Sequence, residues 1–79
     1  MTEQEVYARL TGIFHDVFDD AELEVRPELT AADVAEWDSL SHVRLILSVE
    51  REFQTRFPVT EIANLRNVGE FVALIRRRA

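Results

Sequence analysis

Apolar side chains in this chain recur at helical spacing in three separate stretches, and no stretch alternates apolar with polar residues, so the fold has to be built from packed helices. The first stretch opens with Thr2 and Glu5, a capping-box pair. It continues through Val6, Leu10, Ile13, Phe14, Val17 and Phe18, which predicts a helix from about Glu3 to Phe18. The second follows Asp38, an N-cap, with Trp37 before it at N′. It runs from Ser39 to about Arg56, because proline at position 58 disfavours helical backbone just before it. The third starts from Asn67 and Glu70, carries Val68, Phe71, Val72 and Ile75, and closes on Arg76, Arg77 and Arg78, where cations offset the helix dipole. Thr60 to Leu65 suits only a short turn of helix. From Asp19 to Trp37 the period is lost, Pro27 interrupts, and acids surround scattered Leu23, Val25, Leu29 and Val34. That segment reads as a long loop pinned by apolar anchors, and loops of such length are often functional. The expected fold is all-α: a small four-helix bundle with a long loop between helices 1 and 2 and a short third helix.

Length limits what such a bundle can do. With 79 residues the chain makes a single domain, 1–79, and buries roughly 60% of the surface its unfolded form exposes. This suffices for one small core but not for an enclosed catalytic cavity beside it, which argues against an enzyme. The absence of cysteine removes disulfides and thiolate zinc sites. The N-terminus lacks the basic-then-apolar order of a signal peptide, so a cytoplasmic protein is expected. The longest apolar run, Leu45 to Leu47, is far short of the roughly 20 residues that span a bilayer, so no membrane insertion is expected. A net charge of -6 disfavours nucleic acid as a partner. The charge is also lopsided: residues 1–40 hold 11 acids and 2 Arg, residues 41–79 hold 4 acids and 7 Arg.

Helix 2 carries more apolar surface than one stripe can hold. At about 100° per residue, Leu45, Ile46, Val49 and Phe53 gather on one side, while Leu40, Val43 and Leu47 gather about 130° away. Either the helix is central and apolar over much of its circumference, or the second stripe, flanked by Arg44 and Arg51, is a docking surface. Ser39 falls at N1, its hydroxyl directed to solvent. It serves either as a helix starter or as a point where a phosphodiester would meet the free amides and positive end of the helix.

Two rival constellations exist. Asp38, Ser39 and His42 have the residue types of a hydrolase, with Ser and His at i, i+3. On the helical projection, however, His42 falls with Leu45 and Val49, which suits packing inward or stapling against Trp37. His15, Asp16, Asp19 and Asp20 could be drawn as a metal site, yet they read as a solvated helix end, and no metal is expected.

The run Trp37-Asp38-Ser39-Leu40, followed by Val43 to Phe53 and later Phe57-Pro58, resembles the acyl carrier protein family around its Asp-Ser-Leu motif; Asn67 to Phe71, with Val72 and Ile75, resembles the start of that family's last helix. The likeness is continuous from about Val34 to Ile75. It implies that Ser39 receives 4′-phosphopantetheine from coenzyme A through a separate phosphopantetheinyl transferase, with Asp38 as cap and motif acid. It further implies a non-catalytic, monomeric carrier that holds an acyl group as a thioester and offers it to acyl-loading and acyl-accepting enzymes. Leu40, Val43 and Leu47, with Arg44 and Arg51, match the partner-facing positions of helix 2. Carriers of fatty acid synthesis usually have acids where Arg44 and Arg51 stand, so partners that read those acids with basic patches would fit this chain poorly. Trp37 before the Asp resembles discrete carriers of polyketide and other specialised pathways, including some that hold short polar units such as glyceryl groups. The alternative is an unmodified helical interaction module that docks through helix 2.

Overall fold

The computed structural model describes all of residues 1–79 as four α-helices, α1 (Glu3–Phe18), α2 (Ser39–Phe53), α3 (Val59–Ala63) and α4 (Val68–Arg78), with one 3-10 turn at Ala31–Asp33 and no strand. Each long helix starts where its cap dictates. The Thr2 hydroxyl accepts the Glu5 N–H at 3.1 Å while the Glu5 carboxylate accepts the Thr2 N–H at 3.2 Å. These hydrogen bonds from Thr2, its backbone N–H foremost, lower the carboxyl pKa of Glu5. Asn67 Oδ1 accepts the Glu70 N–H at 2.9 Å. The Glu70 carboxylate accepts from the Arg66 N–H at 2.8 Å, one residue earlier than a reciprocal capping box places it.

Two helix boundaries differ from expectation. α2 ends at Phe53, three residues early, because Gln54 turns into the left-handed region with φ 52° and donates its N–H to Glu50 O. The expected stop signal, Pro58, acts instead on the next element: its carbonyl accepts the Glu61 and Ile62 N–H groups at 3.0 and 3.2 Å, which starts α3 at Val59.

α1 packs against both α2 and α4, and the core lies between them. Val6, Leu10, Phe14 and Phe18 form the α1 contribution, at the spacing one helix face provides. Leu45, Val49 and Phe53 come from α2, and Val68, Phe71, Val72, Leu74 and Ile75 from α4. Trp37 closes one end, its ring 5.4 Å from that of Phe14 and 5.5 Å from that of Phe18.

The long loop is strapped to the bundle rather than hanging from it. Leu29 and Val34 are buried, whereas the other two expected anchors, Leu23 and Val25, are half-buried. The first amides of a helix have no partner within it, and here the loop provides two: Leu29 O accepts the Val68 N–H at 2.9 Å and Pro27 O accepts the Gly69 N–H at 3.0 Å. That approach favours glycine, since a Cβ at position 69 would stand a tight 3.2 Å from Pro27 Cβ and 3.3 Å from its carbonyl oxygen. The 3-10 turn is held by Asp33, whose carboxylate accepts the Thr30 N–H at 3.0 Å and hydroxyl at 3.1 Å. The outcome is a loop that delivers Trp37, Asp38 and Ser39 to one end of α2 in a fixed path. No helix is long and apolar enough to cross a membrane.

Candidate functional site

Asp38 is extended, with φ -110°, and its Oδ1 accepts the Ser41 N–H at 2.9 Å. In return the Asp38 N–H donates to Ser41 Oγ at 2.9 Å, so the expected cap is present but is completed by Ser41. The Ser41 hydroxyl donates onward to Glu36 O at 2.8 Å. Ser41 is 8% exposed and is the one polar residue in the buried set. Burying a hydroxyl is tolerable only when its hydrogen bonds are made, and Ser41 makes them. Hydrogen bonds to the charged carboxylate, from the Ser41 backbone first and its side chain second, pull the Asp38 pKa below its ordinary value.

Ser39 stands between these two residues and takes no part in their bonds. It is exposed, at the first position of α2, beside a shallow depression lined by Ala31, Trp37, Asp38, His42 and Val43. A phosphodiester on its hydroxyl would adjoin the first-turn amides, where the helix dipole favours negative charge. The geometry therefore fits a covalently attached phosphate group without demanding one of its own for stability.

His42 is engaged elsewhere. Trp37 Nε1 donates to His42 Nδ1 at 3.1 Å, and the rings stack with centroids 6.2 Å apart, so the staple expected from N′ to N4 is formed. With Nδ1 accepting, the neutral ring carries its proton on Nε2. His15 is likewise occupied, its Nε2 lying 2.8 Å from Leu23 O, and no group of three or more His, Asp or Glu is placed to hold a metal ion.

The structure separates the two stripes of α2. Leu45, Val49 and Phe53 are buried, while Leu40, Val43 and Leu47 are 71%, 54% and 56% exposed. Ile46, grouped with the core by spacing, is only half-buried. Arg44 and Arg51 are exposed beside Val43 and Leu47. Two residues escaped the sequence reading. Ser41 had a usable signal, since 41, 45, 49 and 53 share one helical face. Val59, 82% exposed at the start of α3, had only its place after Pro58.

Fold and site together define a class: a small helical bundle that presents an exposed serine at the capped start of its second helix. Residues 8–75 match the family model described as a phosphopantetheine attachment site. The chain is 34% identical over 76 residues to the meromycolate extension acyl carrier protein of Mycolicibacterium smegmatis, covering 96% of this chain and 77% of that one. It is 32% identical over 75 residues to an acyl carrier protein of Acidothermus cellulolyticus, covering 95% and 89%. The solution structure of a holo acyl carrier protein from Geobacter metallireducens superposes with a TM-score of 0.87 at 38% identity, covering 92% of this chain and 84% of the other. The chain belongs to the acyl carrier protein family, whose members bear a covalent 4′-phosphopantetheine and act as carriers rather than catalysts.

Proposed function

We propose that residues 1–79 act as one acyl carrier domain whose arm is attached at Ser39. The observation that carries this is the division of labour between two serines at the start of α2. Ser41 is buried and spent on the cap, whereas Ser39 is exposed and spent on nothing. When bound, the arm supplies a terminal thiol on which an acyl group is held as a thioester. The chain's own part is mechanical and electrostatic: Asp38 and Ser41 fix the helix start, the strapped loop fixes the approach, and the positive end of the α2 dipole would favour the phosphate. Asp38, exposed next to Ser39, is also placed to face the magnesium-dependent transferase that installs the arm.

The partners on this reading are a phosphopantetheinyl transferase and the enzymes that load and accept the acyl group, met by a cytoplasmic monomer through Leu40, Val43 and Leu47. The pathway we favour is polyketide or other specialised biosynthesis, because Arg44 and Arg51 stand where carriers of fatty acid synthesis usually have acids and Trp37 precedes the Asp. An unmodified interaction module would use the same exposed stripe, and mass distinguishes the two. Incubation with coenzyme A and a broad-specificity transferase should add one phosphopantetheine to the chain and none to Ser39→Ala, with the variant's melting temperature nearly unchanged. Modification of Ser39→Ala would place the arm elsewhere. Loss of its fold would make Ser39 structural.

A further inference from the structure

Apart from Met1, every large apolar side chain that the fold leaves exposed belongs to α2 or the start of α3: Leu40, Val43, Leu47 and Val59. Between the two helices lies an apolar groove of about 180 Å³, lined by Val43, Ile46, Leu47, Val59 and Ile62, with His42 its one polar member. A dry cavity of about 150 Å³ holds a benzene ring, so this groove has room for one large side chain. Val43 also lines the depression at Ser39, which makes the groove continuous with the proposed attachment point.

The cations beside it stand outside the ion pairs. Four ion pairs form in the molecule, and none includes Arg44, Arg51 or Arg56. Of the acids of α2, Glu52 pairs with Arg9 at 3.3 Å, while Glu50 accepts the Phe57 N–H at 2.9 Å and keeps its charge in the depression it shares with Arg51 and Arg56. At the other end of the helix stand Asp33, Glu36 and Asp38. α2, 15 residues and about 22 Å long, thus runs from an acidic end at Ser39 to a less acidic body whose exposed face bears Arg44 and Arg51 along one apolar stripe.

We infer that this surface docks a protein partner of matching, reversed polarity: an apolar knob for the groove, carboxylates facing Arg44 and Arg51, and basic groups facing the loop before Ser39. The inference rests on Ser39 being the attachment site and names the chemistry of the enzymes it meets. Reversed docking would set like charges against each other, which is costly, so the gradient fixes which end of α2 enters the partner's site. A second copy of this chain is a poor occupant. Its acidic segment, residues 19–38, offers charge but no exposed large apolar residue to fill the groove. An anionic bilayer would be repelled by the net charge of -6 and by the acids at one end of the same helix.

Two synthetic amphipathic helical peptides test this, sharing one Leu/Phe ridge and differing in flanking Glu or Lys. Titrated into the full-length, isotope-labelled protein, the Glu peptide should shift the amides of Val43, Leu47 and Val59 and bind about ten-fold more tightly than the Lys peptide, a gap that added salt narrows. Arg44→Glu with Arg51→Glu, both exposed and unpaired, should reverse the order while lowering the melting temperature only modestly, since Arg51 also sits in the last turn of α2. Equal binding of the two peptides, or shifts centred elsewhere, overturns the inference. So does concentration-dependent self-association through this patch, or binding of it to phosphatidylserine vesicles in preference to the Glu peptide. Failure of the chain to gain mass with coenzyme A and transferase would overturn the attachment reading, while the peptide order reports on the surface itself.

Discussion

The two faces of α2 contain similar residues and have opposite fates. Leu45, Val49 and Phe53 are buried against α1 and the rest of the core, while Leu40, Val43 and Leu47, on the same helix, face solvent. Burial here is decided by which side α1 approaches, and α1 covers one side only. A domain this small has little reason to leave such a stripe uncovered except to meet something, because exposed contiguous apolar surface favours association. The inner face therefore serves stability, and the outer face is the one we propose for encounter.

The contrast is broken most severely by truncating its inner end. Phe53→Ala should cost about 3–5 kcal/mol, a large share of the stability of a small domain, read as a collapse in thermal or urea midpoint. A loss equal to that of Val43→Ala would mean that the faces are misassigned. Ser41→Ala attacks the polar end of the same face: Asp38 N–H and Glu36 O lose their partner, and about 1–3 kcal/mol should go with it, measured by urea unfolding. Acid titration sharpens the difference further. Because the Asp38 pKa is lowered on folding, its contribution is complete above the ordinary value of 3.8 and is lost as pH falls through the lower folded value. Asp38→Asn keeps an acceptor oxygen without the titration, so its melting temperature should fall less than that of the unaltered chain on acidification in that window. Val43→Ala, on the outer face, should change stability by no more than about 0.5 kcal/mol in the same urea measurement.

How much of this was legible varies with the kind of signal. The starts of α1, α2 and α4 were written in Thr2, Asp38 and Asn67, because a cap is a local bond between neighbours in sequence. The end of α2 was not, since Gln54 adopts a left-handed conformation without being glycine, where the Gln54 and Thr55 N–H groups both reach back to Glu50 O. The 3-10 turn had a sequence mark in Thr30 and Asp33, but no apolar run follows to make it conspicuous. The strap between Pro27, Leu29 and the start of α4 joins residues some forty positions apart, and its one mark in the sequence is Gly69, a small residue in the first turn of a helix that by itself names no partner. At the site, Ser39, Asp38 and the outer stripe were visible from the motif and the helical period. Ser41, which completes the cap, and Val59, which extends the stripe onto α3, depend on tertiary placement.

Trp37 gives the molecule an optical property. It is the chain's sole tryptophan, stacked on His42 and edge-on to Phe14, two residues before the serine on which the proposed chemistry depends. An indole held between a core and a surface depression changes its emission when either neighbour moves, since the ring passes between an apolar and a wet environment. Any event that displaces the start of α2, whether a molecule settling beside Ser39 or the unlatching of His42, is therefore written into the protein's own fluorescence. The chain comes with its reporter already in place, and it can be watched at work without a dye.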